Sequence, residues 1–527
     1  MASNNTEKQK FTFHHPELGP LTGLVQPDNV VQFRAVPYAS IPARFKRSIL
    51  LESLLQGENN HTEYGHFHKQ QRREEESTGA SLHPRRRLRP RQNRRPALHR
   101  PDGSTIDQQW PTHRLRIHPV PPRRFSYLHT SSADSNLALN DQRNALLWIQ
   151  RFISGFGGDE KRVTVFGESA GSISICYHML KEPPSSGPLF DRAVLMSGII
   201  GPSTAPCEVG DAEKRYDAFL TRLGIEKRGD EGLRKLREVD VERVVAASAE
   251  MGDEGGMWLA VRDKEWFDGD KERVTWDRIP ELIGECKWVN DIILGCTSFE
   301  GTTFASRYAD VKPDAFLSSI KDQLGEESAQ IVAKAYNITS TMDQNLFLTS
   351  LLRWVGDAIF DAPNHMLATH LSTVSVASRV VASGASEGKK AKNVYRYIFN
   401  VRNPFPNNVL YQQPHHWVDI YFIFKAHQFR FPSERLKSIS TKHAQLWIDF
   451  ANGKKPWAEY VSSGKGDEVA MLADEREGWV EKSVNEVEGE LEWGYGRCEE
   501  LVRSWEGKKG GEWAPLDLKC LKGVKKT

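Results

Sequence analysis

The chain has 527 residues, of which 39% are hydrophobic, and 71 Lys and Arg against 69 Asp and Glu give a formal net charge of +2. This hydrophobic fraction can form a sizeable core, which excludes an intrinsically disordered chain. No run of about 18 apolar residues occurs, so we expect no membrane span. None of the six cysteines forms a C-x-x-C pair, and we expect no metal and no cofactor.

The N-terminal stretch MASNNTEKQKFTFHH contains no apolar segment of the kind that a secretory signal needs. A cytoplasmic location is therefore the expectation. Short strands are predicted over about 18–48, where the Pro27-Asp28-Asn29 turn separates two alternating apolar runs in LTGLVQPDNVVQFRAVPYA. This pattern is typical of a β-hairpin.

Hydrophobic periodicity is absent from about 49 to 124, and this region is dominated by an arginine tract. The stretch LHPRRRLRPRQNRRPALHRPDG occupies 82–103. Between Pro84 and Arg124 there are twelve Arg, two Asp and no Lys, a local charge of +10. We predict a single domain over 1–527, within which about 49–124 is atypical and about 465–527 is a charged C-terminal tail.

Regular patterning returns near Phe125 and alternates between helices and strands. The stretch ALNDQRNALLWIQRFISGFGGD predicts a helix that ends at the Gly157-Gly158 pair. RVTVFG then predicts a strand, AGSISICYHML a helix, and FDRAVLMSG another strand. Mostly helical patterns follow, interrupted by strands at NDIILGCTSFEGTTF and VYRYIFN. This alternation indicates an α/β protein with a mostly parallel sheet flanked by helices.

The strongest functional signal is RVTVFGESAGS, which contains a G-x-S-x-G motif between a predicted strand and a predicted helix. Such a motif forms a nucleophile elbow, in which a sharp turn exposes the serine at the end of the sheet. Ser169 is the candidate nucleophile. The Ala170 N–H lies at a helix N-terminus and is a candidate oxyanion donor. The alternative is a glycine-serine turn without catalytic function.

A serine nucleophile needs a base and an orienting acid, which follow it along the chain in the order acid, then histidine, in this class of site. Glu300 ends an apolar strand in LGCTSFEGTTF, and QQPHHWVDIYFIF offers His415 and His416. The alternatives are a solvated turn carboxylate and histidines that serve only in packing.

Together, FGESAGS, GCTSFEGTTF and HHWVDIYFIF resemble the type-B carboxylesterases, which include cholinesterases and fungal lipases. The resemblance covers about 18–48 and 125–457. It implies an α/β-hydrolase fold with Ser169 as nucleophile, Glu300 as acid and His416 as base. His416 is preferred to His415 because the residues after it match the family spacing. The implied activity is hydrolysis of a small carboxylic ester, with lipase, esterase and amidase substrates left open.

The family also has an H-G-G motif that completes the oxyanion hole, an S-E-D-C-L strand and a Y-R-L-G segment, and this sequence contains none of them. All three belong where the arginine tract lies. When each codon is shifted by one base, Pro84–Pro90 can encode His-Gly-Gly-Ala-Phe-Val-Leu. Residues 78–83 can likewise encode Pro-Val-Leu-Val-Tyr-Ile, and 113–124 can encode a strand that ends in Tyr-Arg-Leu-Gly-Ala. We therefore predict that about 70–125 is an out-of-frame translation of an esterase segment.

Two other interpretations of the chain remain. The arginine tract could be a basic arm that binds nucleic acid, but it has no interleaved aromatic residues and no nucleic-acid-binding fold, so we expect no nucleic-acid partner. The chain could also be a non-catalytic protein with a hydrolase fold. The absent H-G-G motif favours that alternative, whereas the presence of all three triad residues opposes it. The sequence does not indicate an oligomeric state.

Sequencing the transcript through codons 45–130 tests the predicted frame shift. We expect an in-frame segment that encodes H-G-G-A-F and Y-R-L-G, because the shifted reading restores both motifs in the family order. A transcript that encodes the arginine tract as written would contradict the shifted frame and would establish the tract as a genuine part of the protein.

Overall fold

A computed structural model describes residues 9–26, 29–34, 36–54, 61, 133–253, 258–267, 274–382, 392–461, 467–491 and 494–509. The arginine tract and the predicted out-of-frame segment at about 70–125 lie outside the described residues. The described chain divides into two compact units. The single domain over 1–527 stays a prediction.

The first unit comprises the described parts of Met1–Ile41, Ser48–Ile117 and Asn144–Glu160. Strands β1 (Lys10–His15), β2 (Gly19–Val25) and β3 (Val31–Gln32) form an antiparallel sheet in that order, and β4 (Ala39–Ser40) pairs with β5 (Ile49–Leu50). The pairing of β2 with β3 confirms the predicted hairpin. Strand β1 was not predicted, because its six residues include only two strongly apolar side chains, Phe11 and Phe13.

Aromatic rings form the centre of this unit. The His15 ring lies 4.6 Å from the Phe156 ring, and the Phe13 ring stacks on Phe156 at 5.5 Å. His15 Nε2 also lies 2.8 Å from the carbonyl oxygen of Phe152. The predicted helix is confirmed as α1 (Leu137–Phe152), and a short 3-10 turn after it ends at Gly157, whose φ of 81° is left-handed.

The second unit comprises the described parts of Pro42–Arg47, His118–Arg143 and Lys161–Thr527. Its described strands form a six-stranded sheet in the order β11-β10-β9-β8-β7-β6. Strands β6 to β10 are parallel, and β11 is antiparallel to β10. The strands are β6 (Thr164–Glu168), β7 (Arg192–Met196), β8 (Asp291–Thr297), β9 (Asn393–Phe399), β10 (Val469–Asp474) and β11 (Gly478–Ser483).

The helices of this unit mostly connect the strands, which confirms the predicted α/β class with a mostly parallel sheet. They are α2 (Ala170–Leu180), α3 (Val209–Arg222), α4 (Gly229–Glu238), α5 (Val241–Asp253), α6 (Ile279–Glu285), α7 (Ala305–Tyr308), α8 (Pro313–Leu324), α9 (Glu326–Ala335), α10 (Gln344–Gly356), α11 (Ala362–Ala382), α12 (Val418–Ile423), α13 (Glu434–Ala451), α14 (Val484–Leu491) and α15 (Tyr495–Ser504).

The middle strands β7, β8 and β9 are buried over nearly their whole length. Their uninterrupted apolar runs are typical of parallel strands that are covered on both faces. Helix α13 packs on the sheet, where the Trp447 ring lies edge-on to the Tyr397 ring at 5.2 Å. The middle strands and the helices that cover them therefore form the core of the unit. The predicted site residues lie at the carboxyl ends of strands in this sheet or in the loops beyond them.

The C-terminal region differs from the sequence prediction of a charged tail over 465–527. Strand β10 pairs with β9, and β10 pairs in turn with β11, so this part of the chain extends the sheet. Helix α15 buries Tyr495, Cys498 and Leu501. The apolar run of β10 is short and is flanked by charged residues in the sequence, so it was not recognised as a strand.

Strand β6, which precedes Ser169, is an edge of the described sheet. The Ser169 N–H donates to the Met196 carbonyl at the end of β7. Because alternate residues turn their backbone groups to opposite sides, the N–H groups of Thr164, Phe166 and Glu168 face away from β7. Phe166 is 49% exposed, and β6 carries no Lys or Pro of the kind that protects natural edge strands. This edge is typical of an interior strand without its neighbour.

Hydrogen exchange at β6 tests whether the predicted reading frame supplies that neighbour. In a chain translated with the frame restored, we expect slower amide exchange over 164–168 than in the chain as written, because a paired strand protects outward N–H groups. The amides of β9, which already lies between two strands, serve as the control and should not change. Equal exchange of β6 in the two chains would contradict the predicted strand.

Candidate active site

The turn between β6 and α2 holds Ser169 in a strained backbone conformation. Ser169 has φ 58° and ψ −122°, and α2 begins at Ala170, the next residue. A Cβ atom on Gly167 would lie 2.5 Å from the backbone carbon of Gly171, so the strand and the helix approach too closely for a side chain. The sequence therefore folds here as a sharp strand-to-helix turn, with Ser169 half-buried at the carboxyl end of the sheet.

Glu300 lies at the carboxyl end of β8, in a 3-10 turn over Glu300–Phe304, and its side chain is completely buried. Its Oε1 accepts hydrogen bonds from the Thr297 N–H at 2.6 Å and from the Ser197 hydroxyl at 2.7 Å. Thr297 ends β8, and Ser197 directly follows β7. Two neighbouring strands thus fix one oxygen of this carboxylate.

The other carboxylate oxygen of Glu300 faces a histidine. Glu300 Oε2 lies 2.5 Å from His416 Nδ1, and the His416 side chain is 6% exposed. A carboxylate accepts hydrogen bonds, so Nδ1–H donates and Nε2 is the nitrogen without a proton in the neutral imidazole. His415 has a different environment, because its Nδ1 contacts the His416 carbonyl oxygen and its Nε2 lies 3.1 Å from Asn403 Nδ2.

The imidazole Nε2 of His416 faces the carboxyl group that precedes the serine. It lies 3.1 Å from Glu168 Oε1. Among the described hydrogen bonds, none joins His416 to the Ser169 hydroxyl. Ser169 is nevertheless the next residue after Glu168, so the turn brings the serine and the histidine to the same end of the sheet. Such hydrogen bonds are often long or misaligned in free enzymes and tighten when substrate binds.

Two more carboxyl groups surround the imidazole. Burial, together with the charges of Asp419 and Glu300, raises the pKa of Glu168 to about 11. Burial and the Glu300 charge likewise raise the pKa of Asp419 to about 7, and its Oδ2 accepts a hydrogen bond from the Tyr397 hydroxyl at 3.1 Å. The raised pKa favours the protonated form of Glu168 near neutral pH, and Glu300 is the carboxyl group that is hydrogen-bonded to His416 Nδ1.

Sequence reasoning singled out Ser169, Glu300 and His416, and the structure places all three at the carboxyl ends of the parallel strands or in the loops beyond them. The sequence did not identify Ser197 as a hydrogen-bond donor to the acid, and it did not predict that Glu168 is buried. The position of Glu168 in the G-x-S-x-G motif could have drawn attention to it, whereas no pattern in the sequence distinguishes Ser197. Ala170, the predicted oxyanion donor, is exposed at the first turn of α2.

Within the described ranges, no three His, Cys, Asp or Glu side chains are grouped so that they could hold a metal ion. None of the helices in the described part of the chain combines the length and apolar character that crossing a bilayer requires.

Several sequences and structures resemble this chain. The para-nitrobenzyl esterase of Bacillus subtilis (strain 168) is 29% identical over 362 residues, which cover 64% of this chain and 64% of that protein. The acetylcholinesterase of Danio rerio is 45% identical over 95 residues, or 18% of this chain and 14% of that protein. The chain thus aligns with less than two thirds of the length of these sequence relatives.

Solved structures of a para-nitrobenzyl esterase and of a thermophilic para-nitrobenzyl esterase share the fold. Both superpose with a TM-score of 0.62, at 20% and 19% sequence identity. The first match covers 94% of this chain and 100% of the other, and the second covers 93% and 99%. At this level of identity the likeness shows the fold, which is that of an α/β hydrolase.

A family model described as the carboxylesterase family matches residues 124–483. The match begins at the last arginine of the tract and ends at the last residue of β11. It includes the elbow, the acid turn and the histidine loop, so the geometry described above lies within the matched region. The chain therefore belongs to the carboxylesterase family.

Proposed function

We propose that this protein is a serine hydrolase that cleaves carboxylic esters through an acyl-enzyme. The observation that carries the proposal is the buried hydrogen bond between Glu300 and His416 Nδ1, beside a strained serine at the end of β6. A base that is oriented by a buried acid and lies next to a serine elbow is the arrangement that acyl transfer uses.

In the proposed reaction, Ser169 Oγ attacks the ester carbonyl carbon while His416 Nε2 takes the hydroxyl proton. Glu300 holds the imidazole tautomer and stabilises the imidazolium that forms. His416 then gives the proton to the leaving alkoxide, and an alcohol departs from the acyl-enzyme. Water attacks the acyl group with His416 again as base, which releases the acid and restores Ser169.

The Ala170 N–H is the proposed oxyanion donor of the described chain. It belongs to the first turn of α2, where the helix dipole also favours negative charge. The sequence as written has no H-G-G motif to supply further donors. Loss of one donor lowers the rate about 10²–10³-fold, so we propose that full activity requires the frame-restored segment.

The neighbouring carboxyl groups must be uncharged for this mechanism. An ionised Glu168 at 3.1 Å from His416 Nε2 would hold the imidazolium in an ion pair and keep the nitrogen from the serine. The raised pKa of Glu168 avoids this, because the protonated carboxyl group attracts the imidazolium far less. Glu300, which is hydrogen-bonded to Nδ1, is then the carboxyl group that stabilises the positive charge formed during catalysis.

A second candidate function is that of a non-catalytic protein with the hydrolase fold. Two observations favour it: the absent H-G-G motif and the position of His416 Nε2 against Glu168 in place of Ser169. We favour the hydrolase because the acid, the base and the elbow are all present. An inert protein would have no need for a buried, hydrogen-bonded carboxylate beside a histidine.

Covalent labelling and ester hydrolysis test the proposed function. We expect a fluorophosphonate probe to label Ser169, and we expect a frame-restored chain to hydrolyse a short-chain aryl ester at least about 10²-fold faster than the chain as written. Ser169→Ala should abolish both signals, and Ser172→Ala, one helical turn away, serves as the matched serine control. A frame-restored chain that neither reacts with the probe nor hydrolyses the ester would favour the non-catalytic alternative. Brisk hydrolysis by the chain as written would contradict the need for the frame-restored segment.

The raised pKa of Asp419 predicts a distinctive pH dependence of stability. The folded protein holds a proton on Asp419 up to about pH 7, whereas the unfolded chain loses it near 3.8. This contribution to the free energy of unfolding therefore falls as pH rises through that window, by about 1.4 kcal/mol per unit of pKa difference. We expect Asp419→Asn to reduce this decrease in the free energy of unfolding, as measured by urea denaturation between about pH 3.8 and pH 7.

The exposed Asp322 provides a control for this measurement, because its replacement by Asn changes the charge of the protein equally without affecting the site. We expect Asp322→Asn to keep the pH dependence of the unmodified chain. If the Asp419→Asn curve instead parallels that of the unmodified chain, Asp419 is not the group that titrates in this window.

A further inference from the structure

A π-helical turn interrupts the long helical segment that runs from α10 into α11. It comprises Asp357–Asp361, between the end of α10 at Gly356 and the start of α11 at Ala362. All five residues of the turn are buried. Turns of this kind are rare, occur frequently at functional sites, and place an extra residue on one side of the helix.

The turn presents an aromatic ring to the histidine of the site. The Phe360 ring stacks on the His416 imidazole with a centroid separation of 4.4 Å and an interplanar angle of 25°. Phe360 is 3% exposed and His416 is 5% exposed. The terminal χ2 torsion of histidine is intrinsically soft, so a flat buried ring against its face restricts the rotation that this torsion would otherwise allow.

The same helical segment also supports the acid. A Cβ atom on Gly356 would lie 2.7 Å from the Gly301 nitrogen and 3.2 Å from the Glu300 Cβ, so the end of α10 rests directly on the turn that carries Glu300. Phe304, at the end of that turn, stacks on Phe360 at 6.3 Å. One helical segment thus contacts both the acid turn and the imidazole ring.

A buried ionic hydrogen bond fixes the π-helical turn. Asp357 Oδ2 accepts hydrogen bonds from the Tyr336 hydroxyl at 2.8 Å and from Arg497 Nε at 2.6 Å. The side chains of Asp357 and Arg497 are 7% and 16% exposed, and Arg497 comes from α15. Because a buried charge is costly without its partner, this link holds the turn to the C-terminal helix.

We infer that Phe360 is a positioning residue, which the π-helical turn presses against His416 so that the imidazole stays in line with Glu300. The inference rests on the proposed function, because it assigns Phe360 a role in orienting the proposed base. Phe360 takes no part in proton transfer. It limits the orientations of the ring, and a small misplacement of a catalytic group can lower a rate by up to about 10²-fold.

Phe360→Leu tests the inference, because leucine fills much of the space but has no planar face. In the frame-restored chain we expect kcat to fall about 10-fold while KM stays within about twofold, since the substrate contacts are unchanged. Phe360→Tyr, which keeps the ring, should recover most of kcat.

Phe316→Leu is the matched control. Phe316 is completely buried in α8, and its ring lies edge-on to Trp354 at 5.0 Å. It has no ring contact with His416 in the described structure, so its replacement should lower the melting temperature as Phe360→Leu does but leave kcat unchanged. Equal kcat values in the two leucine variants would overturn the inference.

A crystal structure of Phe360→Leu provides a readout that does not require activity. We expect the imidazole of His416 to tilt, so that the distance from Nδ1 to Glu300 Oε2 becomes longer than the 2.5 Å of the unmodified chain. If the imidazole keeps the same orientation relative to Glu300, the inference is overturned, even if the chain is catalytically inert. Failure of the proposed function is distinguished separately, because it would appear as absent fluorophosphonate labelling of Ser169 in the frame-restored chain with Phe360 intact.

Discussion

The buried carboxylate of Glu300 is the constraint on which the rest of the site depends. Its oxygens accept hydrogen bonds from the Thr297 N–H, the Ser197 hydroxyl and His416 Nδ1. A charge in a dry interior is costly unless such partners satisfy it. The ends of β7 and β8 and the loop before α12 are therefore held in one arrangement, and that arrangement sets the tautomer of the histidine.

The electrostatics around His416 follow from the same constraint. The carboxyl groups of Glu168, Glu300 and Asp419 lie around the imidazole of His416. A protonated imidazole carries one positive charge, which can balance the negative charge of only one ionised carboxylate. Glu300 has the hydrogen-bond donors that suit an ionised carboxylate, whereas burial and repulsion raise the pKa values of Glu168 and Asp419. The site thus combines one carboxyl group that is held by several hydrogen-bond donors with two neighbours whose pKa values are raised.

The edge position of β6 in the described sheet bears on the unusual arginine-rich segment in the N-terminal quarter of the sequence. The strand that carries the proposed nucleophile is an edge in the described sheet, with Phe166 exposed and with outward N–H groups. The family match begins at residue 124, where the arginine tract ends. The proposed acid, the proposed base and the elbow therefore lie within the matched region, and among the described strands none pairs with the outer side of β6.

The sequence by itself determined the α/β class and most of the strands and helices between α1 and β9, and it offered Ser169, Glu300 and His416 as candidates for the proposed triad. It could do so because periodicity, turn chemistry and the G-x-S-x-G spacing are local properties of the chain. It missed β1, and it assigned β10, β11 and α15 to a charged tail, because their few apolar residues lie among or between charged residues in the sequence. Only the tertiary structure decided that Ser197 anchors Glu300, that Glu168 faces His416 and that Phe360 stacks on the imidazole. These contacts join residues that are far apart in the chain, and no local pattern encodes a distance between them.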